Sequence, residues 1–88
     1  MSLKYRSTPH TIFREIDGQV ITLNLHSGVY FAMNEVGTRI WHLLMGGTSK
    51  SDIVNAIKNE YDVPIVQLNK DLDSFLMELQ ESDLIEEF

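Results

Sequence analysis

Apolar and polar positions alternate along the first part of the chain and then recur every three to four residues along the rest. Between Thr11 and Met33 the pattern is that of strands. Ile12 to Ile16 form a short run closed by Asp17-Gly18, a dipeptide suited to a tight hairpin turn because both positions tolerate positive φ. The next run, Gln19 to Leu25, places Ile21, Leu23 and Leu25 on one face and Thr22 and Asn24 on the other. His26-Ser27-Gly28 is a second turn signal. It leads into a third strand, Gly28 to Met33, with Val29, Phe31 and Met33 facing the core and Tyr30 and Ala32 on the opposite side. Short strands joined by tight turns form an antiparallel meander.

The helical period begins at Asn34, a good N-cap followed by Glu35 in the first turn, where the helix dipole favours an acid. Val36, Ile40, Leu43 and Leu44 share one face with Trp41 beside it, and Gly46-Gly47 ends the helix. Ser49 with Asp52 three residues on reads as the capped start of a second helix, with Ile53, Val54, Ile57 and Tyr61 as its apolar stripe. Val63-Pro64 interrupts, because the residue before proline is pushed out of the α region. A third helix spans about Val66 to Ser82, with Leu68, Leu72, Phe75, Leu76 and Leu79 on one side and Met77 on the exposed one. Leu84 and Ile85 then pack the tail onto the body. The class is α+β: a three-stranded antiparallel sheet followed by three helices that cover one of its faces, in a single domain spanning residues 1–88.

The length of 88 residues leaves room for one modest core, and the absence of cysteine removes disulfides, thiolate nucleophiles and zinc-finger spacings. Met1 to His10 is polar and lacks the apolar stretch of a signal peptide, and no run approaches a membrane span. A cytoplasmic location is expected. The net charge of −6 opposes nucleic acid and anionic lipid as partners, since phosphate binding draws its affinity from lysine and arginine.

Candidate chemistry is sparse. His10, His26 and His42 lie far apart in sequence, and no pair has the spacing of a zinc site on a helix. The serines occupy turn, cap and helix-surface positions, and Gly46-Gly47-Thr48 lacks the Gly-Lys-Ser/Thr continuation of a phosphate loop. Acidic pairs such as Asp71/Asp73 and Glu78/Glu81 fall within the helical pattern and read as a solvated face. No catalytic residue, metal ligand or cofactor is expected. What remains is binding. The first strand carries Arg14 and Glu15, charges that blunt a sheet edge, whereas the third carries no charge and no proline. At the edge of a meander it could pair with an extended peptide, with Tyr30 and Ala32 as contacts.

The stretch from Gly28 through Tyr30-Phe31-Ala32-Met33-Asn34, Gly37 and Ile40-Trp41 resembles the signature of PqqD-like proteins. Ser49, Asp52, Ile53, Ile57 and Tyr61 continue the likeness, as does the run Asp71-Leu72-Asp73-Ser74-Phe75-Leu76 with Leu79. The resemblance implies a winged-helix-like domain that serves as a recognition element for ribosomally made, post-translationally modified peptides (RiPPs). Such a domain captures the leader of a precursor peptide as an added strand and presents it to a modifying enzyme or leader protease. It places the peptide site at Val29, Tyr30, Phe31, Ala32 and Met33, and at Asp71, Ser74, Phe75 and Glu78 on the third helix. Met33 stands where leucine is usual. The quinone-pathway members' tryptophan and cysteine-aspartate-glycine are missing, so the chain looks more like members serving lasso-peptide or related clusters. The alternative is a DNA-binding or protein-interaction winged helix.

Overall fold

The computed structural model describes residues 3–88. In chain order the elements are β1 (Tyr5–Ser7), β2 (Thr11–Ile16), β3 (Gln19–Asn24), β4 (Tyr30–Ala32), α1 (Glu35–Met45), α2 (Lys50–Glu60), α3 (Ile65–Glu81) and β5 (Ile85–Glu87). The expected meander is present as an antiparallel sheet of order β2-β3-β4, followed by the three helices. Its first turn is made by Asp17 at φ 52° and Gly18 at φ 78°, the paired positive values that match the twist of a two-residue hairpin. Asn34 caps α1 by accepting a 2.8 Å bond from the Gly37 amide, and Ser49 caps α2 by accepting from the Asp52 amide.

Two features depart from the sequence reading. First, the segments flanking the meander form a second sheet, in which β1 pairs antiparallel with β5. Tyr5 is buried there, where a polar lead-in was expected, and desolvation raises the pKa of its phenol. Second, the buried face of β3 is the polar one. Val20, Thr22 and Asn24 point inward, while Ile21 and Leu23 are half-buried and Leu25 is exposed. Each inward polar group has a partner, which removes the penalty for burying it. The Val20 amide donates to Thr38 Oγ1 at 2.9 Å, and Thr22 Oγ1 donates to the Phe31 carbonyl at 3.3 Å. Asn24 Nδ2 donates to the Ser82 carbonyl at 3.0 Å, and its Oδ1 accepts from the amides of His26 and Ser27.

The strand β4 is shorter than the expected Gly28 to Met33. Gly28, at φ 76°, still belongs to the turn, and Val29 is 45% exposed, not core. The core is built mainly from the helices: Trp41 and Leu44 of α1, Ile53 and Ile57 of α2, and Leu72 and Leu79 of α3 are fully buried, together with Leu84. Trp41 also meets Phe13 of β2 edge to face, which fastens α1 to the inner side of the sheet.

Candidate functional site

β4 has one ladder neighbour, β3, so its other side is a sheet edge. The Val29 carbonyl accepts from the Asn24 amide and the Met33 amide donates to the Val20 carbonyl, both toward β3. Backbone groups alternate in direction along an antiparallel strand. The N–H and C=O groups of Phe31 therefore also face β3, while those of Tyr30 and Ala32 face the open edge. The side chains divide the other way. Phe31 lies opposite Thr22, on the helix side, and Tyr30 lies opposite Leu23, on the outer side. The main-chain groups of Tyr30 and Ala32 thus face the open edge while their side chains lie on the outer face, where Tyr30 is 69% exposed.

Beside this edge a cavity of about 520 Å³ opens between β4 and α3. Of the sequence candidates, Phe31, Ala32, Met33, Asp71 and Phe75 line it; Val29, Tyr30, Ser74 and Glu78 do not. Phe31 and Phe75 meet edge to face across the groove, with centroids 5.9 Å apart. Asp71 lies exposed on the α3 side and accepts a 2.7 Å hydrogen bond from Gln67 Nε2, one turn earlier. The wall that sequence reasoning missed comes from α1, α2 and the link to α3: Val36, Gly37 and Ile40, with Ile57 of α2 and with Val63 near the end of the link. Val36, Ile40 and Ile57 stand on apolar stripes, which read equally as core, and Gly37 stands in the family signature without a sign that it lines a cavity. The lining is predominantly apolar, so the cavity suits an apolar side chain carried by an extended backbone.

The histidines lie elsewhere. His10 and His26, far apart in sequence, stack with ring centroids 4.2 Å apart, and His10 Nε2 contacts Asp83 Oδ2 at 2.8 Å. His42 pairs with Glu15 of β2 at 2.6 Å. Among the described residues, no group of three or more His, Cys, Asp or Glu side chains is placed to hold a metal ion. Nor, among them, is any helix long and apolar enough to cross a membrane.

The family described as coenzyme PQQ synthesis protein D (PqqD) matches residues 19–85, which include both walls of the groove. This chain belongs to the PqqD family. A solved relative, TbiB1 in complex with the TbiA(beta) leader peptide, is 37% identical, covering 92% of this chain and 94% of that one, with a TM-score of 0.86. A second, lasso peptide synthetase B1 complexed with the leader peptide, is 23% identical over 94% of this chain and 98% of that one, again at 0.86, and bears on the fold alone. No curated protein matches.

Proposed function

We propose that this PqqD-family chain is a non-catalytic binding domain that captures the leader of a ribosomally made precursor peptide. The leader adds as a strand to the open edge of β4, and the domain presents it to a modifying enzyme or leader protease in the cytoplasm. The observation that carries this reading is the open β4 edge running beside an apolar cavity, in a chain 37% identical to a protein solved with a leader peptide. Main-chain bonds from Tyr30 and Ala32 supply affinity that does not depend on sequence, and the cavity behind Phe31 supplies selectivity. An enzyme partner gains by effective concentration once the leader is held. A DNA-binding role draws no support from α3, where Lys70 stands among Asp71, Asp73, Glu78 and Glu81.

The test is calorimetric titration of the TbiA(beta) leader peptide, and of the leader half of any short precursor encoded beside this gene, into the wild type and Ala32→Pro. Proline at this edge position removes a donor that faces outward and leaves the β3 ladder intact. Saturable binding that Ala32→Pro abolishes, with the melting temperature nearly unchanged, supports strand addition. Equal binding by the two proteins sinks it.

A further inference from the structure

Among the described residues that line the cavity, Asp71 is the one that carries a charge. The others are apolar apart from Asn34, whose Oδ1 is committed to capping α1. Asp71 stands four residues after Gln67 and four before Phe75, so the three share one face of α3. Gln67 Nε2 donates to Asp71 Oδ1 at 2.7 Å, which holds the carboxylate in place through one of its two oxygens. None of the ion pairs among the described residues includes Asp71: Lys50 of α2 pairs with Asp73, and Arg39 of α1 with Glu60. In the free protein Asp71 is exposed, so water solvates its charge. A peptide strand lying between β4 and α3 covers the cavity and displaces that water. A carboxylate that loses its water weakens binding unless the peptide returns a positive charge. A neutral donor such as a tyrosine hydroxyl would return a hydrogen bond and leave the charge uncompensated. Lysine and arginine also suit the rest of the lining, because their methylene stems pack on apolar surface while the charged head stays at a polar rim.

We propose that Asp71, held by Gln67, is a specificity-determining residue of the groove and takes a lysine or arginine side chain of the bound leader. The stem of that side chain lies along the apolar lining, and its charged end meets the Asp71 oxygen that Gln67 leaves free. This rests on the leader-binding reading above and gives it a chemical preference: a leader that is basic on the side facing α3. Asp71 touches the peptide, and Gln67 is a positioning residue.

The experiment is a double-mutant cycle by calorimetry at low salt. The proteins are wild type, Asp71→Asn, Gln67→Ala and, as a control, Glu81→Gln, which removes the same charge at the far end of α3. The probe is the tighter-binding of the two leaders titrated above, intact and with each lysine and arginine replaced singly by glutamine. In the wild type one replacement costs most and marks the partner of Asp71. Asp71→Asn keeps an acceptor for Gln67, so the melting temperature should hold. It is expected to bind the intact leader about tenfold more weakly, between the cost of an exposed and of a desolvated ion pair. The marked replacement should then cost nothing further, and the salt dependence of binding should fall. Glu81→Gln should bind like wild type. Gln67→Ala should weaken the intact leader by less than Asp71→Asn and leave the marked variant's binding unchanged, a selectivity that a merely structural role would not produce. Wild-type affinity in Asp71→Asn, or losses that simply add when both partners are changed, would overturn the proposal. So would a leader that binds undiminished with every lysine and arginine replaced. A loss in Asp71→Asn that couples to a tyrosine or serine of the leader instead assigns Asp71 a neutral donor and likewise overturns the cation. A wild-type protein that binds no leader removes the leader-binding reading itself, whereas binding with no response at Asp71 removes only this inference.

Discussion

The two ends of α3 are held very differently. At its C-terminus the helix closes with the Leu84 amide donating to the Leu79 carbonyl and the Asp83 amide to the Gln80 carbonyl, around Asp83 at φ 56°. This is the Schellman arrangement, with aspartate where glycine is usual. The Asp83 carboxylate meets His10, Thr8 Oγ1 donates to the Asp83 carbonyl at 2.9 Å, and Asn24 Nδ2 donates to the Ser82 carbonyl. At the N-terminus the cap is Pro64, which contributes no side-chain bond; the first turn carries no acid, and Val66 is 79% exposed. The cavity lies toward this loosely finished end, against Leu68, Asp71, Leu72 and Phe75. The groove is therefore bordered by the sheet edge and by the end of α3 that has the fewer capping bonds.

Breaking the tied end should have the largest effect. Asn24→Ala removes the partner of two turn amides and of the Ser82 carbonyl, and leaving buried polar groups unpaired costs about 1–3 kcal/mol. Urea unfolding should show a loss near the upper end of that range. Finishing the free end works in the opposite sense. Pro64→Ser supplies an N-cap acceptor and should raise stability by about 1 kcal/mol in the same assay. Hydrogen exchange sharpens the comparison without mutation: amides in the first turns of α3 should exchange faster than those near Leu79, and a bound leader should protect the first turns most.

The smallest effect concerns the linker that feeds the free end. Arg39 Nε and an Nη donate to the two carboxylate oxygens of Glu60, and the Tyr61 hydroxyl donates to Glu35 Oε2 at 3.1 Å. The hydrogen bond from Arg39 holds the Glu60 carboxyl below its ordinary pKa. Its contribution is therefore complete above the ordinary carboxylate range and is lost as the pH falls through the depressed value. The pair is exposed, so the effect is slight. Glu60→Gln should lower stability slightly at neutral pH and leave the value below the depressed pKa nearly unchanged, so thermal melts across that range show a flatter acid side.

The meander and the helices were legible because hairpin glycines, caps and apolar stripes act locally. Asp17-Gly18, Asn34 and Ser49 do what their chemistry dictates wherever they sit. Which face of β3 is buried was not legible, since Thr22 and Asn24 can face inward only because Phe31, Ser82, His26 and Ser27 complete their hydrogen bonds, and two of those, Phe31 and Ser82, lie beyond the strand's own turn. The β1–β5 pair was hidden for a similar reason: strands of three residues carry too few positions to show a period, and their partner is almost a chain length away. At the site, Phe31, Met33, Asp71 and Phe75 could be named from the strand and helix patterns with the family signature. Gly37 stood in the same signature, but that it lines the cavity follows only from how α1 packs beside α3.

The unblunted edge of β4 has a cost outside any complex. A row of free main-chain groups that accepts one extended chain accepts another, including a partly unfolded copy of the same molecule. The net charge of −6 opposes such pairing, since each molecule repels its like, and that repulsion vanishes near the isoelectric point of about 4.8 and is screened by salt. Low salt and neutral pH therefore preserve the repulsion between copies.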